Sequence, residues 1–135
     1  MDLTFSVQDE AFRARFRAWL EEAMAEYKEV MRAGGGNPLE QSRVWQAKIY
    51  EAGYLGMAWP RAYGGQEASL TEQVIVSEEL ARAKAPGTIN TIGLTIAGPT
   101  IVQHGTEAQK QRFLPKILTA EELWCQGFSE PGAGS

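Results

Sequence analysis

Apolar residues recur at three- and four-residue spacing along most of this chain, the period that gathers side chains on one face of an α-helix. The first such run holds Phe12, Phe16, Trp19, Leu20, Ala23, Tyr27, Val30 and Met31. It predicts one stripe on a helix of about 25 residues, or about 37 Å. Ser6 stands ahead of Val7-Gln8-Asp9 as a cap, with Asp9 near the positive end of the helix dipole. Because the period is unbroken, the aromatic stripe reads as core rather than as a cofactor box. Ala33-Gly34-Gly35-Gly36 ends the run as a flexible connection.

Asn37-Pro38 restarts helix, asparagine as cap and proline in the first turn. Leu39, Trp45, Ile49 and Ala52 form its inward face, and Gly53 is placed as a left-handed terminator. Leu55-Gly56-Met57-Ala58-Trp59 before Pro60 reads as a buried extended connection, followed by a turn at Tyr63-Gly64-Gly65. An exposed aromatic loop that binds a ligand is the alternative there. Ser69-Leu70-Thr71-Glu72 is a capping box. The helix it opens is expected to turn Leu70, Val74, Ser77, Leu80 and Ala81 inward and to pair Glu78 with Arg82. Glu78 and Glu79 point about 100° apart on a helix, so both are expected on a solvated face. Pro86-Gly87 stops this helix.

Lys84 and Glu107 bracket a segment without a single charge. Its length approaches the roughly 20 residues of a membrane span. Pro86-Gly87, Gly98-Pro99 and Gly105 interrupt it, and it also carries threonines, Asn90, Gln103 and His104. It therefore reads as a helix surrounded by protein or by an apolar ligand. Thr91, Thr95, Gly98 and Val102 share one face, where small side chains leave room, while Ile92, Ile96 and Pro99 anchor the other. Close helix packing through Gly93 and Gly98 explains the same residues. His104 falls in the last turn, where it complements the dipole. Thr106-Glu107-Ala108-Gln109 opens a final helix, which Pro115 is expected to kink or end.

The length of 135 residues suits one domain. A net charge of −4 offers no basic field for nucleic acid, so that class of partner is set aside. The one cysteine excludes an internal disulfide and suits a reducing cytoplasm. MDLTFSVQDE lacks the basic and apolar segments of a signal peptide, and a cytoplasmic location is expected.

The last fifteen residues differ from everything before them. Trp124, Gln126 and Phe128 alternate with Cys125, Gly127 and Ser129, which predicts a short strand, and Glu130 to Ser135 form a loop of small residues. Such a loop can turn backbone N–H groups toward phosphate oxygens, or can simply make a tight turn. The string Cys125-Gln126-Gly127-Phe128-Ser129-Glu130-Pro131-Gly132-Ala133-Gly134-Ser135 closely resembles the signature segment of the acyl-CoA dehydrogenase family. The resemblance extends upstream through Gly53–Pro60, Tyr63-Gly64-Gly65, Gly98–Ile101, His104–Glu107, Gln109-Lys110 and Phe113-Leu114-Pro115.

That resemblance implies an all-α N-terminal domain over residues 1–122 and the start of a middle β-domain over 123–135. It implies FAD-dependent α,β-desaturation of an acyl-CoA thioester, with a proton passing to a glutamate and a hydride to the flavin. Gln126, Phe128 and Ser129 would lie against the flavin ring, and Gly134 and Ser135 at its pyrophosphate. Ser135, Thr91, Thr95 and Gly98 would lie near the acyl-CoA substrate. The family's catalytic glutamate has no counterpart in this sequence, so no catalytic residue is assigned here, and no metal ligand. Electron-transfer flavoprotein as acceptor and a homo- or hetero-oligomer are also implied. A related acyl-CoA oxidase or flavin monooxygenase of the same fold remains an alternative, as does a helical module that acts by interaction alone.

Overall fold

The computed structural model describes residues 5–34 and 36–133, which form five α-helices, with a 3₁₀ turn at Arg61–Tyr63 in the long connection between the second and third. Helix α1, Val7–Arg32, begins with the expected Ser6 cap. Asp9 N–H donates to Ser6 Oγ, and the Asp9 carboxylate accepts from Ser6 N–H in return. Helix α2, Pro38–Glu51, is capped by Asn37 Oδ1, which accepts from Leu39 N–H at 2.9 Å. Gly53 ends it with φ of 80°, and Tyr54 N–H reaches back to Ile49 O at 3.0 Å in a Schellman turn. Helix α3, Leu70–Arg82, opens on the Ser69/Glu72 capping box.

Two apolar cores result. Phe16, Leu20, Ala23 and Met24 of α1 meet Trp45 and Ile49 of α2 and Val76 of α3. The second core gathers Trp59, Leu114, Ile117 and Leu118, the last three from helix α5, Glu107–Leu118. Between α3 and α5 the uncharged run forms a π-helical turn, Gly93–Ala97, that continues directly into α4, Gly98–His104. Close packing accounts for its glycines. A Cβ on Gly98 would overlap the Trp59 indole, and one on Gly93 would stand 2.5 Å from Asn90 Oδ1. No described helix is long and apolar enough to cross a membrane.

Several local expectations are corrected. On α3 the inward residues are Ile75, Val76 and Glu79, whereas Leu70 and Val74 are exposed. The buried face, to which the polar Glu79 belongs, lies on nearly the opposite side of the helix from the expected one. Glu79 is buried and accepts from Arg17 Nη2 at 2.6 Å, Arg82 Nε at 2.7 Å and Arg13 Nη1 at 3.1 Å. Arg82 is thereby drawn to Glu79, while Glu78 pairs with Arg13 at 2.9 Å instead of with Arg82. Leu39, Val30 and Met31 are also exposed, so the α1 stripe loses its cover in the last turn.

The segment from Leu55 to Trp59 is a series of turns rather than an extended connection. Gly56 adopts φ of 64°, and Trp59 N–H donates to Gly56 O at 2.9 Å. Pro115 lies inside α5 without ending it. The helix runs on for three residues because its last turn is packed into the second core. The expected strand over Leu123–Ser129 makes no ladder. The isolated bridge among the described residues is Glu130 with Ala133, across Pro131-Gly132. A strand requires a partner for its alternate backbone groups, and none is present in the described residues.

The Glu79 cluster gives this fold an acid-labile joint. Chiefly through Arg17, with Arg82 and Arg13 adding to it, the Glu79 carboxyl is held down from 4.5 to about 2. The unfolded chain therefore takes up this proton first. The stabilisation is whole above about pH 4.5 and is lost as pH falls toward 2. Glu79→Gln should lower the thermal midpoint at pH 7 and flatten its decline between pH 5 and 2.5. Parallel wild-type and variant curves would contradict this. Gly98→Ala should cost about 2 kcal/mol in urea unfolding, the scale of an overpacked core. An unchanged midpoint would show that Trp59 yields freely.

Candidate functional site

The segment that carries the signature residues starts from a buried amide network. Helix α5 ends with Ile117 and Leu118 fully buried, so its last carbonyls have no access to water. Gln46 Nε2 of α2 donates to both, at 2.9 and 3.0 Å. Asn90, also buried, donates from Nδ2 to Ile117 O at 3.0 Å and to Glu122 O at 2.8 Å. Its Oδ1 accepts from Trp124 N–H at 3.0 Å, and its own N–H donates to Gln46 Oε1 at 3.0 Å. One amide thus holds both sides of the peptide run from Glu122 to Trp124.

Other contacts direct the same exit. Ala120, buried, has φ of 60°, a left-handed conformation that a side chain adopts at a cost of order 1 kcal/mol. Its carbonyl accepts from Arg43 Nη1, which also reaches Glu121 O at 3.3 Å. The Glu122 carboxylate pairs with Arg112 at 2.6 Å and Lys116 at 3.4 Å, and Arg112 holds it below its ordinary value. The Trp124 ring meets Phe113 edge-on, 5.5 Å between centroids. Neither Asn90 nor Gln46 was singled out by the sequence reading. The available signals were a lone amide inside the uncharged run and a glutamine beside Trp45 on an otherwise apolar face.

Beyond Trp124 the chain is open. Cys125, Gln126, Gly127, Phe128 and Ser129 are all exposed, Phe128 to 84%. Among the described residues, the Gln126 and Ser129 side chains make no hydrogen bond, and Gly127 and Gly132 have nothing within 4 Å of a Cβ position. Glu130 and Ala133 then exchange two 3.0 Å backbone bonds around the Pro131-Gly132 turn. Gly134 and Ser135, expected at the flavin pyrophosphate and the substrate, lie outside the described residues.

The residues expected near substrate divide. Thr91 and Thr95 are exposed, their hydroxyls donating to Thr88 O at 2.9 Å and Thr91 O at 2.7 Å. Gly98 is buried against Trp59, so it does not line open space itself. A hollow of about 300 Å³ opens nearby between the Tyr54–Trp59 turns and α3, with Leu94 of the π turn, Met57 and Leu80 in its wall. A separate apolar hollow of about 220 Å³ lies between α1 and α2, lined by Tyr27, Val30, Val44 and Trp45. His104 is exposed at the end of α4.

Comparison with known proteins places this arrangement. The family model described as "Acyl-CoA dehydrogenase, N-terminal domain" matches residues 6–121. The acyl-CoA dehydrogenase IpdE1 of Mycobacterium tuberculosis is 41% identical over 131 residues, covering 93% of this chain and 34% of that protein. Among solved structures, the ChsE4-ChsE5 complex from Mycobacterium tuberculosis superposes with a TM-score of 0.77 at 34% identity, covering 99% of this chain and 34% of the other. A protein described as the Tcur3481-Tcur3483 steroid ACAD gives a TM-score of 0.75 at 35% identity, with the same coverages. The chain spans about a third of the length of these relatives. With all five helices matched and the signature segment at its end, the chain belongs to the acyl-CoA dehydrogenase family, as its N-terminal helical domain.

Proposed function

We propose that the protein containing this chain is an FAD-dependent dehydrogenase that introduces an α,β double bond into an acyl-CoA thioester. The observation that carries this reading is the exposed Gln126–Ser129 segment, projected from a rigid network in a chain of this family. Its residues fit a flavin by their chemistry. Phe128 offers an uncovered aromatic face, Ser129 a hydroxyl and Gln126 an amide, while Gly127 presents backbone without a side chain in the way. Bound flavin would supply the hydride acceptor. In this reading Ser129 donates a hydrogen bond to the ring system, Phe128 and Gln126 pack along it, and Gly134 and Ser135 face the pyrophosphate.

The proton is taken by a glutamate that this chain does not contain, so the chain contributes binding and orientation rather than the base. The Thr91 and Thr95 face borders the acyl group, with Gly98 acting through the position of Trp59. A bulky acyl group is the preferred substrate class, supported by the likeness to a protein described as a steroid ACAD. Electrons would pass on to an electron-transfer flavoprotein. A hetero-oligomeric assembly is favoured by the likeness to the ChsE4-ChsE5 complex. Residues 123–135 would enter a second, β-rich domain, consistent with the family match ending at residue 121.

The full-length protein reconstituted with FAD should show flavin absorbance and reduce it on adding acyl-CoA. Ser129→Ala should weaken FAD binding about fivefold, the equivalent of one hydrogen bond. Absence of bound flavin in the wild-type protein would overturn the assignment. Thr95→Leu should reduce turnover of bulky thioesters more than of short ones. An equal loss across the series would remove the Thr91/Thr95 face from the acyl site.

A further inference from the structure

We propose that Asn90 is a positioning residue for the flavin-facing segment, fixing from inside the helical core where residues 124–133 begin. The inference rests on the flavin reading above, and it assigns a role to a buried residue outside the exposed signature segment. Asn90 spends its whole side chain on backbone: two donors on Ile117 O and Glu122 O, and one acceptor on Trp124 N–H. These three groups lie on both sides of the point where α5 gives way to the open segment. A side chain serving stability alone could satisfy the α5 carbonyls and stop there, as Gln46 does with its Nε2.

The surroundings hold Asn90 in one orientation. Gln46 Oε1 accepts its backbone N–H at 3.0 Å, and Gly93 leaves the space its amide fills. Trp124 N–H is also the last segment backbone group with a partner before the exposed residues 125–129. Ala120 turns the chain in a left-handed conformation just before, which surrounding contacts must enforce. Arg43, Arg112 and Lys116 still hold residues 120–122, so loss of the Asn90 bonds would loosen the chain from Trp124 onward. Small misplacements of a positioned group are costly in binding and in rate.

The test compares Asn90→Ala with Phe16→Leu in the full-length protein. Phe16 lies in the other core, so its variant controls for lost stability. Asn90→Ser serves if the alanine variant folds poorly. Thermal midpoints, FAD affinity by fluorescence titration, and amide hydrogen exchange over residues 118–133 are measured for each. Asn90→Ala should weaken FAD about tenfold, the scale of one to two hydrogen bonds. It should also speed exchange at Trp124 while most of α5 stays protected. Phe16→Leu, at a similar loss of thermal midpoint, should leave both readouts near wild type. Unchanged exchange at Trp124, or equal FAD loss in the two variants, would overturn the inference. Failure of wild-type protein to bind FAD would instead sink the flavin reading, and the exchange measurement would still decide whether Asn90 fixes the segment.

Discussion

The last turn of α5 is buried, and its carbonyls cannot be left to water. An unpaired buried carbonyl costs about 1–3 kcal/mol, and where helical N–H donors run out Ile117 O keeps only a long 3.4 Å bond from Ala120 N–H, with Leu118 O beside it. The chain answers with two amides from elsewhere, Gln46 of α2 and Asn90 ahead of the π turn. That answer dictates much of the rest. It ties α2 to α5 across 71 positions of sequence, and it requires Gly93 to make room for the Asn90 side chain. It also gives the following segment a defined starting point at Trp124.

A second constraint acts between α1 and α3. Glu79 is a buried carboxylate, and such a group is tolerated only when its charge is matched and its lone pairs are filled. Arg13 and Arg17 come from α1, and Arg82 from its own helix. The cluster fixes how α1 and α3 register. An apolar pair would allow the helices to slide, whereas three guanidinium groups converging on one carboxylate have few satisfactory arrangements. Amides therefore organise the end of α5 beneath the signature segment, and charges organise the α1–α3 packing.

What was legible in the sequence follows from range. Caps are local: Ser6, Asn37, Ser69 and Thr106 each satisfy a backbone N–H within three residues, and all four helix starts were readable. The α1 stripe was readable for the same reason. The face of α3 was not, because an inward-facing Glu79 breaks the apolar period that such reading relies on. Two of its three arginines, Arg13 and Arg17, lie more than 60 positions away, and only Arg82 is local. Gly98 had two explanations in sequence, and only the position of Trp59 separates them. The strand expected after Leu123 failed for a related reason: alternation describes side chains, whereas a strand exists through the partner its backbone finds.

The open segment then follows from the same accounting of backbone groups. Many backbone groups up to Trp124 are paired within the chain, in caps, in the Gly56–Ala68 turns and in the amide network. From Cys125 to Ser129 the side chains stand exposed, and a ring as large as Phe128 is left 84% uncovered. Water satisfies the Ser129 hydroxyl but leaves the Phe128 ring uncovered, and a flat, polar-edged ligand would cover that ring while keeping a hydrogen bond to the hydroxyl. Rigidity behind and openness in front are what such a ligand requires. The entropy of ordering the root of the segment is already spent in the folded chain, and less remains to be lost on binding.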